Sequence, residues 1–144
     1  MIESLFKPEG KDDSGLIRDG VSEGQFNKVL DSELDKIIKA CKFLDERWSP
    51  KFTVIIAQKN HHTRFFLPQG QNTFNVSPGT VVDSGICHPT RYDFYMCAHD
   101  SSRVGTTRPT HYHVLRDDIG FNPDELQELV HSLSYVYQRS TSAI

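Results

Sequence analysis

The stretch Phe52-Thr-Val-Ile-Ile-Ala-Gln-Lys-Asn-His-His-Thr-Arg64 joins a compact apolar run to a cationic one. The apolar run is short and rich in β-branched residues, which favours a strand covered on both faces over a helix. Two cations and two histidines follow at its exit. Lys supplies a point charge and Arg a planar fork of donors, and both suit phosphate oxygens. The stretch therefore predicts a buried strand that ends in an anion-binding edge.

The charge of the chain is uneven along its length. The 144 residues carry a net charge of −3, yet residues 51–116 hold 7 Lys/Arg against 3 Asp/Glu, and both flanks are acidic. Charge bias alone is typical of a solvated face, but the basic middle coincides with the cationic run after residue 57. We therefore expect a polyanionic partner that is held locally rather than attracted by bulk charge.

Composition narrows the class of protein. The length suits one domain or part of one. No apolar run is long enough to cross a bilayer and no secretory signal is visible, so a soluble intracellular chain without a membrane partner is expected. The three cysteines, Cys41, Cys87 and Cys97, show no CxxC spacing, which favours buried thiols over a disulfide framework or a zinc knuckle.

Periodicity predicts a helix, several strands and a second helix, which is an α/β layer structure. Residues 1–21 are expected to form a poorly ordered N-terminal segment. The first helix is predicted from a capping box of Ser22 and Gln25 to about residue 47, and strands at residues 52–58, 63–67, 79–83, 93–98 and 110–115. Residues 68–78 read as an exposed loop. The last helix is predicted to begin at Asn122, with Pro123 at its first position and Glu125 at its third.

Two motifs carry a resemblance to a known family. Gln58-Lys-Asn-His-His-Thr63 and Gly105-Thr-Thr-Arg-Pro-Thr-His-Tyr-His-Val-Leu115, in this order after Arg18-Asp-Gly-Val-Ser-Glu23, resemble the PIWI domain of eukaryotic Argonaute proteins. The sequences of the two motifs are similar to those of the plant clade linked to small-RNA-directed DNA methylation. The resemblance implies a partial RNase H-like fold over residues 22–144, with a mixed sheet flanked by helices. It also implies small-RNA (guide) binding in RNA-mediated gene silencing, in the nucleus, the cytoplasm or both.

The resemblance also implies what this chain lacks. Family members that cleave RNA hold two Mg²⁺ or Mn²⁺ ions with carboxylates and a histidine, and such ion pairs stabilise an in-line phosphoryl displacement. Asp19 matches one metal-binding catalytic aspartate, and the other ligands have no match here. A helix and a supporting strand that the family carries between Arg18 and Asp19 are also missing. We therefore expect no metal cofactor and no cleavage by this chain, with Asp19 serving as an acid in a helix-terminal turn.

More of the family's guide-binding residues than of its metal ligands have a match in this sequence. The positions that match family contacts to the small-RNA backbone are Lys59, His62, Arg64, His99, Arg108, Tyr137 and Arg139. Such contacts position a nucleic acid without reading its sequence, so the expected partners are a guide RNA and its paired target RNA. Asn60 and Asp100 depart from the family pattern and remove or oppose a phosphate contact.

Two alternatives remain open. One is a metal-dependent RNA endonuclease that uses Asp19. The other is a protein-interaction fragment that binds Trp-containing partner segments, as the resemblance allows. His111 and His113 alternate on a predicted strand, and a packed or hydrogen-bonded role is favoured for them over a metal pair.

Overall fold

The computed structural model describes residues 4–6, 13–99 and 105–136, and it describes side chains from residue 20 onward within those ranges. The chain falls into two compact units, one of Met1–Gln58 with His113–Gly120 and one of Lys59–Tyr112 with Phe121–Ile144. The strands are β1 (Ser4–Phe6), β2 (Asp13–Asp19), β3 (Lys51–Gln58), β4 (Phe66–Gln69), β5 (Asn72–Asn75), β6 (Thr80–Val82), β7 (Asp93–Cys97) and β8 (Thr110–Asp117). The α-helices are α1 (Phe26–Lys28), α2 (Asp35–Leu44) and α3 (Pro123–Ser134).

Sheet order in the first unit is β1-β2-β3-β8. Strand β2 runs parallel to β3, with Ile17 opposite Ile55, and β1 runs antiparallel to β2. Strands β3 and β8 run antiparallel, because the backbone of Phe52 bonds Asp118 whereas Gln58 meets His113. The sheet is therefore mixed, as the resemblance implied.

Strand β2 corrects one expectation for the N-terminal segment. Asp19 was expected to lack a supporting strand, whereas Asp13–Asp19 is a strand and Asp19 ends it in register with Ala57. Ser4–Phe6 is a further strand, and the poor order expected for residues 1–21 as a whole stays a prediction. The reason lies in the backbone, because an unpaired edge of β3 would leave N–H and C=O groups without partners, and an extended segment satisfies them.

A helical run packs on β3 and forms the core of this unit. It consists of a 3₁₀ turn at Glu23–Gln25, α1, a π-helical segment at Val29–Leu34, and α2. Its buried side chains meet those of the strand in one apolar cluster, which contains Val21, Phe26, Val29, Leu34, Cys41, Phe52, Val54 and Ile56. Every residue from 52 to 57 is buried, so the prediction of a strand covered on both faces is confirmed. The burial of each large aliphatic side chain in this cluster contributes roughly 1.5–3 kcal/mol to the free energy of folding.

The start and end of the helical run differ from the prediction. Ser22 makes no side-chain cap, because the Gln25 N–H donates to the Ser22 carbonyl at 2.9 Å and forms a 3₁₀ turn instead. The run ends at Leu44, short of residue 47, and leaves Phe43 and Leu44 exposed. The capping box of Ser22 and Gln25 was therefore wrong, and the helix itself was predicted correctly.

The second unit contains β6, β7 and the first three residues of β8, in the strand order β8-β7-β6, and a separate hairpin. All residues of β7 are buried, and β6 pairs with it in antiparallel fashion. Strands β4 and β5 pair with Leu67 opposite Phe74, so part of the predicted loop 68–78 is a hairpin. The Gly and Asn residues of this stretch favour the turn at residues 70–71. They also led to a loop prediction for the short strands on either side of that turn.

Helix α3 begins as predicted. Asn122 accepts from the Glu125 N–H at 2.9 Å, and the Glu125 carboxylate accepts from the Asn122 N–H at 3.1 Å. Hydrogen bonds from Tyr92 to the Pro123 carbonyl and from Gln127 to Asp83 hold the helix to the rest of its unit. Within the described ranges, no helix is both long enough and apolar enough to traverse a membrane.

The thiols largely follow the prediction. All three cysteines are free, with Cys41 and Cys97 buried and Cys87 partly buried. Burial raises the pKa of the Cys97 thiol, so it stays protonated and packs as an apolar group.

Candidate nucleic-acid interface

The loop of residues 59–64 follows β3 and carries the predicted cations. Lys59 and His62 are exposed, whereas Arg64 is partly buried. The Nη1 group of Arg64 donates to the Thr63 carbonyl at 2.6 Å and to the His61 carbonyl at 3.2 Å. These bonds fix the guanidinium against its own loop and leave Nε and Nη2 for another acceptor.

Arg108 lies beside this loop in the same unit. Its side chain is exposed, and the neighbouring Pro109 is buried. The Nε2 atom of His61 lies 2.9 Å from the Pro109 carbonyl oxygen, so one hydrogen bond joins the 59–64 loop to the segment that carries Arg108. Among residues 20–99 and 105–136, no carboxylate forms an ion pair with Lys59, Arg64 or Arg108. The structure therefore brings three predicted RNA-binding cations onto two connected segments.

His61 lies inward, although sequence reasoning gave it no separate role. A carbonyl only accepts, so Nε2 carries the proton, and Nδ1 is enclosed without a partner among the described atoms. Burial lowers the pKa of His61; the nearby His111, Arg64 and His62 lower it further, while the bond to Pro109 opposes them. The ring is therefore held in its neutral form with a defined tautomer.

A buried polar cluster of Asp93, Tyr95 and His111 lies behind His61 and is called the Asp93 cluster here. Asp93 accepts from the His88 backbone N–H at 2.8 Å and from His111 Nε2 at 2.6 Å. The rings of Tyr95 and His111 stack with centroids 3.9 Å apart, and His61 meets Tyr95 edge-on at 5.4 Å. Asp93 escaped sequence reasoning because its partners lie 5 and 18 residues away.

His113 belongs to the first unit and has a different hydrogen-bond partner from His111. Its Nε2 lies 3.1 Å from Gln58 Oε1, its ring contacts Phe26, and Gln58 Nε2 donates to the Val21 carbonyl. Both histidines are hydrogen-bonded, as predicted.

The register partners of Asp19 on β3 add no metal ligand. Its register partner on β3 is Ala57, and Arg18 lies opposite Ile56, so neither partner offers a carboxylate or imidazole. Gln58, the next residue of β3, already uses both ends of its amide. A two-ion site needs several oxygen ligands around each ion, and the described side chains next to Asp19 on β3 do not provide them.

The remaining predicted contacts follow β7 and α3 in sequence. His99 is partly buried and follows Ala98, whose carbonyl accepts from the Tyr135 hydroxyl at 3.1 Å. His131 Nε2 lies 3.3 Å from the same hydroxyl. Tyr137 and Arg139 lie outside the described residues, as does Asp100.

The mixed sheet, its flanking helices and the cationic edge define an RNase H-like α/β domain. The Piwi domain model matches residues 16–144, so this chain belongs to the Piwi domain family. Its solved structural neighbours include the C-terminal lobe of a budding yeast Argonaute, with a TM-score of 0.79 and 30% identity over 90% of this chain and 29% of that one. Another is a Kluyveromyces polysporus Argonaute with a guide RNA, with a TM-score of 0.74 and 28% identity over 90% of this chain and 17% of that one.

Plant proteins show stronger sequence similarity. Protein argonaute 4B of Oryza sativa subsp. japonica is 63% identical over 166 positions, and protein argonaute 4 of Arabidopsis thaliana is 58% identical; each comparison covers 100% of this chain. The chain spans 18% of the length of either relative. The rice alignment has 166 positions for 144 residues, so at least 22 positions of that relative have no counterpart here. This agrees with the internal shortening that the sequence predicted.

Proposed function

We propose that this chain binds the backbone of a small single-stranded RNA and of its paired target, as part of RNA-mediated gene silencing. The observation that carries the proposal is the pair of connected cationic segments, residues 59–64 and Arg108, in a chain of the Piwi family. Lys59 and Arg108 are exposed, and the fork of Arg64 keeps donors for a phosphate. Such contacts position RNA and carry no base preference. Nuclear or cytoplasmic residence, or both, belongs to the same proposal.

A salt series tests the proposal. Affinity for a labelled single-stranded RNA oligonucleotide is measured by fluorescence anisotropy over a range of KCl concentrations. The slope of log K against log salt is about −0.7 for each phosphate contact on single strands. The double variant Lys59→Ala/Arg64→Ala should therefore lower the affinity and make the slope shallower by about 1.4 if both contacts are lost.

A matched control separates contact from bulk charge. Lys42→Ala/Arg47→Ala removes the same charge from exposed positions at and beyond the end of α2. Its slope should stay near that of the unmodified chain. Equal losses in both double variants, or binding that does not depend on salt, would remove the basis for the proposal.

RNA cleavage is not part of the proposed function. Asp19 matches one catalytic aspartate and its register partner on β3, Ala57, adds no ligand, so we expect that Mg²⁺ or Mn²⁺ does not support cleavage of guide-paired RNA. A single-turnover assay with Asp19→Ala as the comparison tests this. Metal-dependent cleavage that disappears in Asp19→Ala would establish the endonuclease alternative.

A second proposal is the binding of a Trp-containing partner segment. The observation that favours it is the apolar pair at the end of α2, where Phe43 is 90% exposed and Leu44 75% exposed. Titration with a Trp-rich peptide should show saturable binding that Phe43→Ser/Leu44→Ser weakens. The control Phe66→Ser/Leu67→Ser alters another exposed apolar pair and should leave that binding in place. Equal binding by all three proteins would contradict a site at α2.

A further inference from the structure

His61 is the residue through which the two cationic segments meet. It lies between Lys59 and Arg64 in sequence. Its ring forms a hydrogen bond with the carbonyl of Pro109, which is 48 residues further along the chain. Its own carbonyl accepts from Arg64 Nη1. One residue therefore contacts both the guanidinium on its own loop and the backbone next to Arg108.

The ring of His61 is held from behind. Tyr95 lies edge-on at 5.4 Å and His111 edge-on at 6.3 Å, and these two rings stack on each other. Asp93, with 2% of its side chain exposed, fixes His111 through a 2.6 Å contact. The ring consequently has little freedom to rotate away from Pro109, because rotation would break packing against a buried, hydrogen-bonded cluster.

The inward orientation separates His61 from its neighbour. His62 is exposed, whereas the Nδ1 atom of His61 is fully enclosed and its Nε2 is bonded to protein. An enclosed nitrogen and a bonded nitrogen leave no donor for a phosphate. His61 therefore acts on RNA only through the segments that it connects.

We infer that His61 is a positioning residue that sets the spacing between the 59–64 loop and Arg108, so that one RNA backbone contacts both. This inference rests on the proposed RNA binding. Pre-organised spacing raises affinity because the ordering of the loop does not have to occur on binding.

Three substitutions test the hydrogen bond. His61→Phe keeps an aromatic ring against Tyr95 and removes the donor to Pro109. His61→Gln can place an amide N–H where Nε2 stood, and His61→Asn is too short to do so. Loss of one such bond should weaken binding of a labelled single-stranded RNA about five- to tenfold. We expect that loss in His61→Phe and His61→Asn, with affinity restored to within about threefold in His61→Gln.

A double-mutant cycle distinguishes positioning from general stabilisation. Since His61 acts through the segment of Arg108, the His61→Phe effect should nearly vanish in an Arg108→Ala background. The matched control is His62→Phe, whose exposed neighbour position should give losses that add to those of Arg108→Ala. Thermal melts establish that each variant is folded at the assay temperature, and His61→Asn against His61→Gln replaces the cycle if His61→Phe is not.

The outcomes separate the inference from the proposed function. If the unmodified chain shows no salt-dependent RNA binding, the proposed function fails and the inference with it. If the unmodified chain binds RNA but His61→Phe binds equally well, or its loss adds to that of Arg108→Ala, the positioning role alone is refuted. Failure of His61→Gln to restore affinity would likewise exclude the hydrogen bond as the cause.

Discussion

Replacement of Asp93 by Ala removes the acceptor on which the Asp93 cluster depends. The carboxylate accepts from the His88 N–H at 2.8 Å and from His111 Nε2 at 2.6 Å. Its side chain is 2% exposed, so water cannot take over either bond without a rearrangement. The substitution leaves both donors without this acceptor and removes buried side-chain atoms.

The magnitude follows from these contacts. Hydrogen bonds to a charged group contribute about 1.5–3 kcal/mol each, and the Asp93 carboxylate accepts two of them. We expect the free energy of unfolding to fall by about 3–5 kcal/mol. For a chain of this size, about 3 °C of melting temperature corresponds to each kcal/mol, so the melting temperature should fall by about 9–15 °C.

Urea denaturation followed by circular dichroism measures this loss, with two comparison variants. Asp93→Asn keeps an acceptor for the His88 N–H and should lose about half as much stability. Asp83→Ala removes the same charge from an exposed residue that accepts one hydrogen bond from Gln127, and should cost no more than about 1 kcal/mol. If Asp93→Ala were no more damaging than Asp83→Ala, the buried cluster would not stabilise the unit as argued.

Three further predictions concern the cap of α3, the ionisation of His61 and the pairing of β2. Asn122→Ala removes the cap on the Glu125 N–H and should cost about 1 kcal/mol in urea denaturation, whereas Asn122→Ser should keep most of it; equal losses would contradict the capping role. The pKa of His61 lies below its ordinary 6.5 because of burial, with the charges of His111, Arg64 and His62 acting in the same direction. The unfolded chain therefore takes up this proton first, and the melting temperature should fall as pH drops below about 6.5; His61→Phe should lessen that fall, and an unchanged pH profile would refute the assignment. Ile17→Pro removes one backbone donor from β2, which pairs on both sides at this residue, and should cost about 1–3 kcal/mol; the control Ile17→Val keeps the donor, and a result no worse than this control would argue against the strand.

Local signals explain which elements the sequence predicted. The start of α3 was correct because Asn122, Pro123 and Glu125 act within one turn. The capping box at Ser22 was wrong because the choice between an α-helical and a 3₁₀ first turn rests on backbone bonding, such as that from the Gln25 N–H to the Ser22 carbonyl. Strand β5 was missed because Asn and Gly dominate its surroundings and its evidence is a cross-strand partner such as Leu67.

In the candidate site too, residues whose role depends on sequence neighbours could be predicted, and residues whose role depends on distant contacts could not. Lys59, His62 and Arg64 stand together in sequence, so a cationic loop could be predicted from composition alone. His61 and Asp93 could not be assigned, because their roles depend on Pro109 and His111, which the chain brings close only on folding. A His-His pair gives no indication of which ring faces inward.

Strand β2 carries a consequence for how such chains tolerate loss of sequence. Asp13–Asp19 pairs along β3 without interruption. This pairing forms although at least 22 positions of the rice relative have no counterpart in the 144 residues here. The backbone N–H and C=O groups of β3 thus determine where a neighbouring strand can pair. Different stretches of polypeptide can fill this position if they are long enough and extended. A domain can therefore differ in length at such a place and keep the same strand order.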